Sequence, residues 1–202
     1  TEGVDISAKE AYDMIKKDAD SFSTSAISPG FLLEELRKLA NDHRSILFVT
    51  ISSALSAVAQ SAGLAIETLS QESPETKVRI FDSKSCAGGQ GLITLAMARA
   101  ARAGAGLDRL ADMALEMRSK TGCLVMLDTV SYTYRTGRMT KSQALEAAKL
   151  KIKPINRMSD EGTMDFADMV HKRSDGFKKI IEMVKNDAGT DSLHFMISHA
   201  DA

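Results

Sequence analysis

Ser52, Ser53 and Ser56 stand where an apolar run ending at Ile51 hands over to a segment of Ala, Leu and Val. Capping a helix start takes one hydroxyl, so three raise the prospect of a ligand. Hydroxyls beside the unpaired N–H groups of a helix N-terminus suit a small anion, a carboxylate or a phosphate. No Lys or Arg is near these serines in the sequence, so hydrogen bonds alone would hold the anion. Plain capping is an equally good reading of Ser52 or Ser53, whereas Ser56 lies a turn too far in. Two other apolar runs also end in polar groups. Phe81 leads into Asp82-Ser83-Lys84-Ser85, and Leu127 into Asp128-Thr129. Asp82 and Asp128 read most simply as turn caps or acceptors for loop N–H groups.

The elements that must position these groups follow from pattern. Ser7-Ala8-Lys9-Glu10 is a capping box for a helix to about Lys17, and Asp20 to Ser28 is a polar loop. Ser28-Pro29 opens a helix through Leu39. Ser45–Ile51, Lys77–Asp82 and Gly122–Leu127 read as buried strands, and Ala54–Ser70, Gly88–Ala103 and Leu107–Lys120 as helices. Strands alternating with helices predict an α/β fold, a parallel sheet covered by helices on both faces. The three polar strand ends would then share one rim. From about residue 150 the pattern changes. Thr140–Leu150 is helical, Ile152–Met158 extended, Asp160-Glu161-Gly162 a turn, Thr163–Val170 a hairpin strand, Ser174–Asn186 a helix and Ser192–Ser198 a last strand. The expected organisation is residues 1–150 as the α/β domain and 151–202 as part of a smaller α+β domain that looks incomplete.

Composition narrows the function. The net charge of −1, scattered basic residues and only three Tyr and seven Phe argue against nucleic-acid binding. No apolar run has the length of a membrane span. Cys86 and Cys123 lie outside any CxxC, so they read as small core residues and a cytoplasmic location is the default. Neither a metal site nor a cofactor motif is expected. The stretch from Cys86 to Gly91 lacks the G-x-G-x-x-G spacing.

Five blocks in order resemble the DegV family: Thr24-Ser25-Ala26-Ile27-Ser28-Pro29; Ile51 through Ala62; Asp82-Ser83-Lys84-Ser85; Leu127 through Met139; and Ile152-Lys153-Pro154-Ile155. The family patterns are T-S-Q-P-S-P, I-S-S-x-L-S-G-T-Y-Q-S-A, D-S followed by G-x-G, L-D-T-L-E-Y-L-R-R-G-G-R-I and I-K-P-I. The resemblance covers nearly the whole chain, without the family's first strand and its C-terminal G-x-H-x-G-P-G region. It implies a bacterial fatty-acid-binding protein, a carrier subunit of the fatty-acid kinase type and not itself an enzyme. A long-chain fatty acid would lie in an apolar tunnel between two domains. Its carboxylate would be presented to a partner kinase catalytic subunit for acyl-phosphate formation. Transient contact with a membrane surface is compatible with lipid carriage.

By motif position the carboxylate ligands would be Thr24, Ser56 and the N–H of Ala57, with Ser52 and Ser53 shaping the turn. Ala57 replaces the family's Gly, and Val58-Ala59 its Thr-Tyr. In the fourth block the family's L-R-R-G-G-R is Thr133-Tyr134-Arg135-Thr136-Gly137-Arg138. Arg135 and Arg138 either meet an acidic partner or tie down the loop after the third strand. Two other classes stand beside the carrier. A serine hydrolase or acyltransferase needs a general base, and His43, His171, His194 and His199 lie in no recognisable nucleophile motif. A non-catalytic interaction module with a vestigial cleft is the other.

Overall fold

The computed structural model describes residues 5–18, 23–189 and 192–200. Three helices begin where a hydroxyl takes the first orphan N–H groups. Ser7 caps α1 (Ala8–Lys17) in a full capping box with Glu10. Ser28 accepts from Phe31 N–H at the head of α2 (Pro29–Asp42), with Pro29 at the first position. Thr140 caps α7 (Lys141–Leu150), again in a capping box, with Gln143.

After α2 the chain runs through β1 (Ser45–Thr50), α3 (Val58–Glu72) and β2 (Lys77–Asp82). The two strands pair in parallel from Ser45 opposite Lys77 to Thr50 opposite Asp82. Because side chains alternate along a strand, this pair feeds two cores. Ile46, Phe48, Val78 and Ile80 pack with Leu32 and Leu36 of α2 and Ala62, Ala65 and Leu69 of α3. Leu47, Val49 and Phe81 face the other way, onto Ile93 and Met97 of α4 (Ala87–Arg102) and Leu110 and Ala114 of α5 (Leu107–Ser119). The mixed α/β fold with helices on both faces of a small parallel sheet is the one the sequence predicts.

The third strand departs from expectation. β3 (Leu124–Met126) does not join β1 and β2. It pairs antiparallel with β4 (Lys153–Met158), which pairs antiparallel with β5 (Met164–Val170). An apolar run fixes burial but not partner or direction, and the hairpin of β4 and β5 supplies the edge that three residues can use. Only the ends of β1 and β2 therefore share a rim. A five-residue helix, α6 (Ser131–Arg135), follows β3, and α8 (Arg173–Ala188) closes the regular structure. Residues 192–199 form no strand. This segment packs instead on α4, where a Cβ at Gly88 would lie 3.0 Å from Met196 O and one at Gly91 2.8 Å from Met196 Sδ. Among the described residues no helix is long and apolar enough to cross a membrane.

Candidate functional site

The rim beyond β1 is built by hydrogen bonds, and these push the helix start downstream. Ser52 N–H donates to Ser85 O at 2.9 Å, and Ser52 O accepts from Leu55 and Ser56 N–H at 3.0 and 3.1 Å. Asp82 at the end of β2 accepts from the Ser53 hydroxyl at 2.5 Å and from Lys84 N–H at 2.8 Å. These bonds hold residues 53–57 in turns, so α3 begins at Val58 rather than at the expected Ala54. Neither Ser52 nor Ser53 caps it. The N-cap is Ala57, and no side chain accepts from the first turn.

The three serines thus have different fates. Ser52 is fully buried and its hydroxyl donates to Gly162 O at 2.7 Å. Gly162, the last residue of the predicted turn before β5, is itself buried with φ +85°, and a Cβ there would collide with Ser52 Oγ. This contact presses the β4–β5 turn onto the end of β1. The Ser53 hydroxyl is spent on Asp82. Among the described residues none takes the hydroxyl of Ser56, which is half-buried.

Ser56 opens into a groove of about 570 Å³ at the N-terminus of α3. One wall is Ser53 to Ala57 with Gln60; the other is Thr136, Gly137 and Arg138 with Thr163 and Met164. Arg138 crosses between them, its Nε donating to Leu55 O at 3.3 Å and its Nη1 to Thr136 O. Among the described residues no carboxylate pairs with its charge. The expectation of a site remote from any cation is therefore overturned. Chain folding brings in an arginine that sequence distance hid. An uncapped helix N-terminus, a free hydroxyl and a guanidinium together favour an oxyanion.

Of the residues singled out in the sequence, Ser53, Ser56, Ala57 and Arg138 line this groove. Thr24 is exposed in the segment ahead of α2, and Arg135 is exposed at the end of α6; neither is in the lining. Sequence reasoning missed Gln60, a local neighbour of Ser56 in the first turn of α3, and Thr136 and Thr163, whose approach to Ser56 depends on contacts across the fold. Among the described residues no loop N–H donates to the Asp128 carboxylate. Its carboxylate pairs with Lys153 at 2.8 Å and Arg173 at 3.8 Å. The Lys153 hydrogen bond, aided by the charges of Lys153 and Arg173, holds it below the ordinary carboxylate range against the opposing effect of burial.

Comparison with known proteins gives a consistent picture. A model of the DegV family, described as uncharacterised, matches residues 1–202. A DegV domain-containing protein of Streptococcus pyogenes is 26% identical over 170 residues, 84% of this chain and 59% of that protein. The chain thus spans about three fifths of the length of that curated relative. The Streptococcus pneumoniae fatty acid kinase B3 protein loaded with linoleic acid superposes with a TM-score of 0.83 at 19% identity, covering 92% of this chain and 64% of that one. A DegV family protein from Eubacterium eligens loaded with heptadecanoic acid gives 0.80 at 21% identity, covering 92% and 66%. At such identities these likenesses establish the fold.

Proposed function

The chain belongs to the DegV family, and from that membership we propose that it binds a long-chain fatty acid and presents the carboxylate to a partner kinase. The observation that carries the reading is the uncapped N-terminus of α3 opening into a groove beside the free Ser56 hydroxyl. The groove volume falls within the roughly 300–1,000 Å³ of small-molecule sites. Ser56 and the Ala57 N–H would hold the headgroup; Thr24, outside the groove lining, would join them only if the segment ahead of α2 moved in. Arg138 would add charge. Structural neighbours crystallised with linoleic and heptadecanoic acids support the ligand class.

Energetics divide the labour. Each buried CH₂ of the tail contributes about 0.8 kcal/mol, so the tail supplies affinity and the headgroup supplies position. Ser56→Ala should weaken fatty-acid binding by about 0.5–3 kcal/mol without abolishing it. Phosphoryl transfer by the partner should fall further, because the reacting carboxylate loses its positioning. Calorimetry with heptadecanoic acid, alongside a coupled kinase assay on the same variant, checks both. No heat of binding to the parent chain would dismiss the fatty-acid reading. Unchanged binding and turnover in Ser56→Ala would dismiss the site.

A further inference from the structure

The sequence reading gives Cys86 and Cys123 to the core. Their placement says more. Cys86 is the N-cap of α4 and Cys123 immediately precedes β3, yet their sulfurs lie 3.9 Å apart. Glycine at position 89 makes this possible. A Cβ there would collide with Ser85 Oγ and sit 3.3 Å from the Cys123 Cβ. The two thiols are also unlike. The hydrogen bond from Cys86 favours the thiolate of Cys123, helped by N–H groups of Gly89 and Cys86 and the Ser85 hydroxyl, against burial. The same bond, with burial, pushes the Cys86 thiol up. Cys123 is partly exposed whereas Cys86 is buried, so a small oxidant reaches Cys123 first and Cys86 stands behind it as the second thiol.

We propose that Cys86 and Cys123 are a peroxide-reactive dithiol that closes to a disulfide between the head of α4 and the approach to β3. The thiolate of Cys123 attacks hydrogen peroxide. An S–O bond forms, the O–O bond breaks and hydroxide leaves, giving a sulfenic acid. Cys86 then attacks the Cys123 sulfur as it gives up its proton. The S–S bond forms, the S–O bond breaks and the oxygen departs as water. Overall, two thiols and one peroxide give one disulfide and two waters, the two electrons passing to the peroxide. Closure from 3.9 Å to the roughly 2.05 Å of a disulfide needs about 2 Å of movement. The residue before Cys86 carries the carbonyl that holds Ser52 N–H, so the bond would act on the rim beyond β1.

The full reduced chain, treated with equimolar hydrogen peroxide and quenched with iodoacetamide, tests this by intact mass and peptide mapping. The expected product is two hydrogens lighter, resists alkylation, contains a linked Cys86–Cys123 peptide and returns to the dithiol with dithiothreitol. Its rate of formation should rise with pH as more of Cys123 ionises. Cys86→Ser should stop at a dimedone-reactive sulfenic acid on Cys123, and Cys123→Ser should slow thiol loss about tenfold. Two thiols still alkylatable after peroxide, or a link only between separate chains, would overturn the proposal. So would a rate indifferent to pH. The parent measurement needs no variant to fold.

Discussion

Ser52 and Ser56 are one turn of chain apart, yet substitution should separate them completely. Removing the Ser52 hydroxyl leaves a buried carbonyl at Gly162 without its donor. Ser52→Ala should therefore lose about 1–3 kcal/mol of stability. Gly162→Ala should cost more, adding a collision and a side chain at φ +85°. Ser56→Ala, whose hydroxyl has no partner to abandon, should unfold with the parent's midpoint. Urea denaturation of the three variants reads the contrast directly. The sequence presents these serines as near equals. What distinguishes Ser52 is a carbonyl 110 residues away, and no local pattern announces it. Arg138 illustrates the same limit, for its approach to Leu55 spans 83 residues.

Elements were legible wherever a local signal existed. Capping residues announced α1 and α2, and short β-rich apolar runs announced β1 and β2, which the structure buries between two cores. The start of α3 misled because its head carries no capping side chain. The partner of β3 misled because pairing is a tertiary choice, and residues 192–198 because an apolar pattern suggested a strand where Leu193, Phe195, Met196 and Ile197 in fact stay exposed. The segment after β3 is tied to β4 and α8 through Asp128, with Lys153 and Arg173. Its pKa is lowered in the folded state, first by the Lys153 hydrogen bond. The resulting stability is complete above the ordinary carboxylate range and is lost as pH falls through the lowered folded value. Since the carboxylate is 52% exposed, the gain is screened to within about 1 kcal/mol. Asp128→Asn should thus lower the melting temperature slightly near neutrality and draw level with the parent in acid. Thermal melts across that pH range check it.

At the scale of the whole molecule, family and fold class could be read from five short blocks in order, because their spacing preserves the architecture. The groove could not be assembled that way, since its second wall comes from after β3 and from the β4–β5 turn. The Ser52–Gly162 bond joins residues 110 apart, whereas the Arg37–Glu72 pair between α2 and α3 spans only 35. The longer closure costs about 1 kcal/mol more in chain entropy. The α2–β1–α3–β2 unit can therefore organise before the β4–β5 turn reaches it. Ser52→Ala should accelerate unfolding while leaving the folding rate nearly unchanged, as expected for a contact made after the transition state. Stopped-flow mixing across a urea series would show the shift confined to the unfolding limb. Folding intermediates of this chain would then possess the core beneath the groove but lack its far wall, making ligand competence a late acquisition of the folding chain.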